Sequence, residues 1–369
     1  ACDAGREGEL IFRYIIQYAR IKHPKKTAGK TVSRLWLQSM TPDAIRNGFS
    51  KLRSDDAMMP LANAASCRSE ADWLIGINGT RAMTAFNSKS GGFYLTPVGR
   101  VQTPTLAVVV DREKIIRNFD PRDYWEVQAR FQVESGEYTG RWIDEEFKKD
   151  PDDAHKRAER IWEHAKAEGI KEKCEKQSGE VTEKSKPSKQ AAPALFDLTT
   201  LQREANARFG FSARNTLAIA QALYERHKIL TYPRTDSRCL PEDYVSSVKQ
   251  TIEALNQANY KGSAGDILKN NWIQAGNKKI FNNNKISDHF AIIPTLKAAP
   301  STLKEQELKV YDLVVKRFLA VFHPSAEFLV TTRITRVEGQ PFKTDGKVLV
   351  KPGWLSVYGR EQQNDDTGH

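Results

Sequence analysis

Cysteine is scarce in this sequence of 369 residues, since its four cysteines, Cys2, Cys67, Cys174 and Cys239, are scattered and form no C-x-x-C pair. This argues against a zinc ribbon and against a disulfide framework, so the cytoplasm is the expected compartment. Apolar runs such as Leu106–Val110 are far too short to span a bilayer, and no membrane association is expected. The sequence also lacks a G-x-x-x-x-G-K-[ST] loop, which would cradle the phosphates of ATP.

What the sequence does have is an excess of basic residues. It contains 57 Lys+Arg against 46 Asp+Glu, which gives a formal net charge of +11. Such a balance favours a polyanionic partner, most often nucleic acid. A hydrophobic content of 39% predicts folded globules, and the length predicts several domains rather than one core.

Helical and strand-like patterns alternate along the chain. Helical spacing predicts helices over about 6–23, from Thr41-Pro42 to 49, over 56–87, from Thr96-Pro97 to about 119, over 199–209, over 212–227, behind Pro241, and from 302 to about 322. Alternating apolar and polar residues predict strands at 33–37, 125–133, 138–143, 229–235, 328–337 and 347–350. Residues 165–192 are rich in Lys, Glu, Ser and Pro and resemble a solvated connector or an edge strand. The order indicates a β-rich domain that is interrupted by a helical insert.

The first motif with chemical potential is the turn Asp3-Ala-Gly5-Arg-Glu7-Gly-Glu9. Carboxylates on a strand-to-helix turn can hold Mg²⁺, which prefers hard oxygen ligands. The alternative is an ordinary acidic helix N-terminus that complements the helix dipole. The residues alone leave both interpretations open.

The second motif is Thr231-Tyr232-Pro-Arg234-Thr-Asp-Ser237. A phenol is a weak nucleophile while it is protonated, and a neighbouring cation such as Arg234 would stabilise both the phenolate and the charge on an attacked phosphate. Pro233 would fix the relation between the two side chains. The alternative is a tyrosine packed in a core.

Three further segments fit contacts with phosphate. His289, in Ser287-Asp-His-Phe-Ala-Ile-Ile-Pro294, either donates a hydrogen bond to a phosphate oxygen or is a buried histidine paired with Asp288. The segment 99–105 offers backbone N–H groups with Arg100, Gln102 and Thr103. Arg68 and Asp72 stand one helical turn apart, as in a surface ion pair.

Taken together and in this order, these motifs resemble those of the type IA DNA topoisomerases. The turn at Asp3 resembles the second half of a TOPRIM metal site, Tyr232-Pro-Arg234 the cleavage motif, and His289-Phe-Ala-Ile-Ile-Pro the segment of the phosphate-contacting histidine. The sequence Arg-Ser-Glu-Ala-Asp-Trp-Leu-Ile-Gly at 68–76 resembles the bacterial topoisomerase III branch more closely than topoisomerase I. The resemblance runs from residue 1 to about 360.

The resemblance implies a multidomain α+β fold that forms a toroid. It implies the C-terminal part of a TOPRIM α/β domain at 1–50, a winged-helix-like helical domain from 51–120 with 298–325, a β-rich arch from 121–195 with 326–369, and a winged-helix-like tyrosine domain at 196–297. A family segment with a Glu and a Lys is expected upstream of Ala1, and without it the chain should cleave DNA poorly.

The resemblance also implies an ATP-independent enzyme. Tyr232 would cut single-stranded DNA and keep the 5′-phosphate, let a strand pass, and religate, which relaxes negative supercoils or decatenates DNA. The implied catalytic residues are Tyr232, Arg234, Glu7 and His289, and the implied Mg²⁺ ligands are Asp3, Glu7 and Glu9. The implied DNA contacts are Arg34, Arg68, Asp72, Arg100, Gln102, Thr103 and His289. The expected partners are single-stranded and underwound duplex DNA, and the protein is expected to be monomeric.

One departure from the family pattern bears on the metal. The family places a second Asp two residues after the first, and Gly5 occupies that position here. Alternatives to a topoisomerase are a tyrosine recombinase, which would leave a 3′-phosphotyrosine and would need no acidic turn, a catalytically impaired clamp on single-stranded DNA, and a TOPRIM nuclease or primase.

Overall fold

The computed structural model describes residues 2–134 and 136–359. Its contacts divide the chain into two compact units. One unit consists of Ala1–Arg117 and Pro193–His323, and the other of Asn118–Ala192 and Pro324–His369. No helix in the described ranges is long and apolar enough to cross a membrane.

Eleven α-helices lie in the described part of the chain. In chain order they are α1 (Arg6–Lys22), α2 (Pro24–Thr27), α3 (Pro42–Ser50), α4 (Asp55–Asn87), α5 (Gln102–Arg117), α6 (His164–Cys174), α7 (Leu198–Phe209), α8 (Ala213–Glu225), α9 (Val245–Asn256), α10 (Lys261–Lys269) and α11 (Glu305–Ala320). Short 3₁₀ turns cover Glu242–Tyr244, Asn283–Lys285 and Gly353–Val357. All of the α-helices except α6 belong to the first unit.

The strands form two antiparallel sheets. They are β1 (Ser33–Arg34), β2 (Arg53–Ser54), β3 (Gln128–Val133), β4 (Gly136–Trp142), β5 (Gly179–Gln190), β6 (Ala326–Val337) and β7 (Gln340–Lys351). β1 pairs with β2, and the other five follow the order β3-β4-β7-β6-β5. The larger sheet thus joins strands from before and after the helical block 196–297.

The larger sheet is buried on one side by apolar residues of the second unit. Trp142, Ile161, Ile170, Val337 and Phe342 form its core. The edge strand β5 is almost entirely exposed, which suits its content of Lys, Glu and Ser. A charged edge strand of this kind resists pairing with other chains.

In the first unit, the segments that flank Tyr232 are held by buried backbone contacts. Ile229 and Leu230 are fully buried, and Leu230 bridges to Pro294. Thr231 N donates to Ile293 O at 3.0 Å, and Ile292 N donates to Phe196 O at 2.8 Å. These contacts bring the segment of His289 beside the segment of Tyr232.

Several helix boundaries predicted from turn and capping residues are confirmed. The Thr41 hydroxyl accepts from Ala44 N at 3.2 Å at the start of α3, and the Ser212 hydroxyl accepts from Asn215 N at 3.2 Å at the start of α8. Gly210 ends α7 with φ 68°, in the left-handed region that glycine enters without strain.

Other predicted elements are shorter than expected or accompanied by an element that was not predicted. The helix expected from Thr96-Pro97 begins at Gln102, because the preceding segment is held along α4, where Thr96 N donates to Thr84 Oγ1 and Val98 N to Thr80 Oγ1, both at 3.0 Å. The strand expected at 229–235 is reduced to an isolated bridge, and the strand at 33–37 to two residues. Residues 165–192 contain α6 as well as the edge strand. The division into four domains stays a prediction.

Candidate active site

The acidic turn wraps tightly over the start of α1. A Cβ atom on Gly8 would lie 2.1 Å from the carbonyl oxygen of Asp3, so only glycine lets the backbone pass at this distance. The turn leaves the Asp3 side chain 61% exposed and the Glu7 side chain 72% exposed. Both carboxylates are therefore open to a ligand.

Glu9, in contrast, is fully buried and has both oxygens engaged. Arg13 Nε donates to its Oε1 at 2.8 Å, and Arg34 Nε donates to its Oε2 at 2.9 Å. Because this carboxylate is fully buried and each of its oxygens already accepts from a guanidinium group, a cation could reach it only by breaking an ion pair. This corrects the expectation that Glu9 is a metal ligand and gives it a role in anchoring the turn.

The same contacts correct the expectation that Arg34 touches DNA. Its side chain is only 2% exposed, and its donors are spent inside the protein. Besides Glu9 it donates to the carbonyl oxygens of Asp3 at 3.0 Å, Leu35 at 3.0 Å and Cys2 at 3.3 Å. Arg34 thus fixes the backbone on which Asp3 stands.

Tyr232 lies between two rings. Its ring centroid is 4.2 Å from that of His289 and 5.4 Å from that of Tyr224, which projects from α8. The contact with Tyr224 is edge-to-face, an arrangement that aromatic pairs favour. The phenol is half-buried, so it is held in place while staying accessible.

His289 connects the tyrosine with the acidic turn. Its Nε2 is 3.6 Å from Asp3 Oδ2, and its side chain is 27% exposed. Thr235 Oγ1 donates to the carbonyl oxygen of His289 at 3.0 Å, which ties the two motifs together. The nucleophile candidate, the imidazole and one carboxylate of the turn therefore lie in sequence across one surface.

Arg234 is exposed on the same segment. Its Nη2 donates to Gln221 Oε1 on α8 at 3.2 Å. Gln221 is neutral, so this contact does not neutralise the charge of the Arg234 guanidinium, which stays available to a phosphate. Gln221 and Tyr224 stand three residues apart on α8, which puts them on one face.

The loop that carries His289 is held against the segment after β1. Gln38 Nε2 donates to the carbonyl oxygens of Ile286 at 3.1 Å and Ser287 at 3.0 Å. This docking puts Asp288 over Gly5, where an added Cβ would lie 2.2 Å from Asp288 Oδ1. Burial raises the pKa of Asp288; the charges of His289 and Arg6 lower it, and those of Asp3 and Asp236 raise it further.

The remaining predicted contacts lie on α4, in the turn before α5 and at the start of α5. Arg68 lies 3.6 Å from Glu7, and Arg100 lies 3.3 Å from Asp72, so the interpretation of Arg68 and Asp72 as a mutual ion pair gives way to two separate pairs. A shallow depression of about 750 Å³ is lined by Asp72, Gly99, Arg100, Val101, Gln102, Thr105, Leu106 and Val109. Thr103 caps this turn, since its Oγ1 accepts from Gly99 N at 3.0 Å.

The donor set suits Mg²⁺ rather than a metal that needs a full protein cage. In the described ranges no group of three or more His, Cys, Asp or Glu side chains could hold a metal ion. Mg²⁺ needs fewer ligands, because it is usually held by one or two carboxylates with water and phosphate oxygens. Asp3 and Asp288, which line one small cavity, could supply two such carboxylates, and the exposed Glu7 lies on the same turn as Asp3.

Three residues of the site escape prediction from the sequence. Gln38 and Gln221 act through contacts with distant segments, and no local pattern marks them. Asp288 stands within a motif that we single out, yet its sequence neighbours suggest only a partner for His289. The absence of an acid at Gly5 is the one signal that points toward a replacement elsewhere.

Comparison with known proteins agrees with this geometry. The family model for DNA topoisomerase matches residues 56–368. The chain is 40% identical to DNA topoisomerase 3 of Bacillus cereus and to that of Bacillus subtilis, in each case over 99% of this chain and 47% of the relative. The chain thus spans about half the length of these curated relatives.

A solved structure gives the same answer for the fold. Full-length topoisomerase I from Thermotoga maritima matches 97% of this chain and 54% of its own, with a TM-score of 0.64 and 26% identity. The tyrosine motif, the acidic turn and these matches lead to one conclusion: the chain belongs to the type IA DNA topoisomerases, in the neighbourhood of bacterial DNA topoisomerase 3.

Proposed function

We propose that this protein cleaves and rejoins single-stranded DNA through Tyr232, without ATP, and so relaxes negative supercoils or decatenates DNA. The observation that carries the proposal is the ring contact of 4.2 Å between Tyr232 and His289, with His289 Nε2 at 3.6 Å from Asp3. These two contacts bring together a candidate nucleophile, a side chain that can donate a hydrogen bond to phosphate, and the acidic turn. A tyrosine packed in a core would need none of these neighbours.

The chemistry is a transesterification. The Tyr232 phenol oxygen attacks a phosphodiester, a bond from that oxygen to phosphorus forms, and the bond from phosphorus to the 3′-oxygen breaks. The phenol loses its proton as its oxygen attacks, the departing 3′-oxygen takes up a proton and leaves as a hydroxyl, and the 5′-phosphate stays on the tyrosine, so protons balance over the step. Arg234 and His289 donate to the phosphate oxygens on which charge builds up. Rejoining is the reverse attack by the 3′-hydroxyl, so bond energy is conserved and no ATP is consumed.

Mg²⁺ is the cation that the family resemblance implies. Asp3 and Glu7 are the residues that would hold it, and when bound it would neutralise phosphate charge beside the cut. Glu7 has a second role by resemblance, as a catalytic carboxylate near the scissile bond. In the structure the Glu7 carboxylate forms an ion pair with Arg68 at 3.6 Å.

DNA would run across the helical surface of the first unit. Arg68, Asp72, Arg100, Gln102 and Thr103 are the proposed contacts, with backbone amides at the start of α5. The proposed partners are single-stranded DNA and underwound duplex. The toroid, the winged-helix-like and TOPRIM domains, the monomeric state and the cytoplasmic location are proposed on the family resemblance.

The polarity of the covalent adduct tests the proposal. The purified protein is incubated with single-stranded DNA labelled at the 5′ or the 3′ end and Mg²⁺, and the reaction is stopped with denaturant. Because the tyrosine keeps the 5′-phosphate, only the 3′ label should stay with the protein. Retention of the 5′ label would indicate a recombinase-like 3′-phosphotyrosine, and binding without any adduct would indicate a clamp.

A further inference from the structure

Gly5 and Asp288 occupy one space. A Cβ on Gly5 would lie 2.2 Å from Asp288 Oδ1, 2.3 Å from its Oδ2 and 2.3 Å from its carboxyl carbon. These distances are far below van der Waals contact, so the carboxylate of Asp288 stands where a side chain at position 5 would begin. Gly5 has an extended backbone with φ −160°, which any residue adopts, so it is the present position of the Asp288 side chain, and not the backbone, that leaves no room for a Cβ here.

The family pattern places the second acid of the turn at this position. In this chain the turn lacks that acid, and a carboxylate from a distant loop fills the gap. We propose that Asp288 serves as the second carboxylate of the cation site, so that the site is shared between the acidic turn and the loop of His289. This inference rests on the proposed function, because the cation is the one that the topoisomerase family implies.

The surroundings of Asp288 fit this role. A cavity of about 100 Å³ is lined by Asp3, Asp288, His289, Gln38, Cys2, Leu35, Leu37, Met40 and Phe290. A water molecule takes about 30 Å³ in the liquid, so the cavity has room for a cation with part of its water shell. Asp3 and Asp288 both contribute to it, and Mg²⁺ is commonly held by two carboxylates with water.

A cation site shared by Asp3 and Asp288 depends on the position of the loop that carries Asp288, whereas a site formed by the acidic turn alone would not. The loop of Asp288 is docked by the two hydrogen bonds from Gln38 to Ile286 and Ser287. The cation site is complete only while the loop stays docked. Cation binding is therefore coupled to the contact between the acidic turn and the loop that carries His289.

Metal binding without DNA separates this inference from the cleavage reaction. The probe is Mn²⁺ alone, followed by electron paramagnetic resonance on the purified protein, with Mg²⁺ as competitor. Asp288→Asn keeps the shape and removes the charge, and we expect about tenfold weaker Mn²⁺ binding, since affinity follows the charge of the ligand set. The matched control is Asp236→Asn, a neighbouring carboxylate that hydrogen-bonds Ser287 and does not line the cavity; its Mn²⁺ affinity should be unchanged.

A relocation experiment tests the shared space. Gly5→Asp alone should lower the melting temperature modestly, because the Asp288 carboxylate must rotate away from the new Cβ and a second carboxylate enters the same space. Gly5→Asp combined with Asp288→Ala should recover both the melting temperature and Mn²⁺ binding, since the carboxylate then stands on the turn. Equal Mn²⁺ affinity for Asp288→Asn and the parent, or a double variant no better than Gly5→Asp, would overturn the inference. Loss of the DNA adduct with Mn²⁺ binding as expected would instead overturn the proposed function.

Discussion

The imidazole of His289 lies between the ring of Tyr232, at 4.2 Å between centroids, and the carboxylate of Asp3, at 3.6 Å from Nε2. One side chain thus touches both halves of the candidate site, which are far apart in the sequence. A phosphate bound at Tyr232 would lie near the imidazole of His289 and near Arg234, which is on the same segment as Tyr232.

Arg234→Lys should reduce formation of the covalent adduct by about 10²-fold, although the charge is kept. Arginine presents a planar fork of donors to a phosphate, whereas lysine presents a point charge, and loss of one well-placed donor to a transition state costs this much. The measurement is single-turnover cleavage of a labelled oligonucleotide.

The matched control for Arg234 is Arg238→Lys. Arg238 lies four residues further on and its Nε donates to Asp197 at 2.7 Å, so its guanidinium is already paired with a carboxylate. Its cleavage rate should stay within a few-fold of the parent rate. Equal rates for Arg234→Lys and the parent would place Arg234 outside the reaction.

Arg34→Lys should destabilise the fold without changing the salt dependence of DNA binding. Lysine keeps the charge but cannot replace all of the hydrogen bonds from the guanidinium to Glu9 and to the backbone carbonyls, and each buried acceptor left unsatisfied costs about 1–3 kcal/mol. Urea unfolding measures the loss, and the slope of log K against log salt measures phosphate contacts. A reduced slope with unchanged stability would restore the original expectation that Arg34 touches DNA.

Arg100→Gln should weaken binding of single-stranded DNA and lower the salt slope by about one, because one phosphate contact is lost. Arg46→Gln is the control, since Arg46 is exposed on α3 and pairs only locally with Asp43. Its slope should equal that of the parent. Equal slopes for both variants would remove Arg100 from the DNA path.

Low pH should remove the stabilisation that the ionised side chain of Asp197 gives to the folded state. Burial opposes ionisation, but hydrogen bonds from Thr200 and Arg238 hold the pKa of Asp197 below its ordinary value. Its stabilisation is therefore full above the unfolded pKa of about 3.9 and is lost as pH falls through the lower folded value. Asp197→Asn keeps a capping residue and removes the charge.

Urea unfolding at several pH values tests the Asp197 prediction. The parent should be more stable than Asp197→Asn near neutral pH, and the difference should shrink at pH values below the ordinary aspartate pKa. A difference that stays constant over the same range would show that the charge of Asp197 contributes nothing.

Local signals in the sequence predict much of the fold. Thr41, Ser212 and Gly210 cap or end helices through contacts with their own neighbours, so the sequence shows them directly. Pro97 misleads because the hydroxyls of Thr80 and Thr84 hold its segment along α4. That contact depends on residues a helix away, which no local pattern reveals.

The candidate site likewise combines residues that the sequence reveals with residues whose roles depend on tertiary contacts. The motifs of Tyr232 and His289 are recognisable from the sequence, and the structure brings them together. Glu9 and Arg34 carry charges that look available in sequence, yet each neutralises the other inside the protein. Burial and pairing of this kind depend on tertiary contacts, as does the meeting of Gly5 with Asp288.

The most direct test of the account is to identify the residue that carries the DNA. The denatured adduct formed with single-stranded DNA and Mg²⁺ is digested with nuclease and protease, and the nucleotide-bearing peptide is sequenced by mass spectrometry, with Tyr232→Phe as the control. We expect a 5′-linked nucleotide on Tyr232 in the parent and no adduct in Tyr232→Phe, whose DNA affinity should be nearly unchanged. A nucleotide on another residue, or an adduct of parental yield in Tyr232→Phe, would contradict the account.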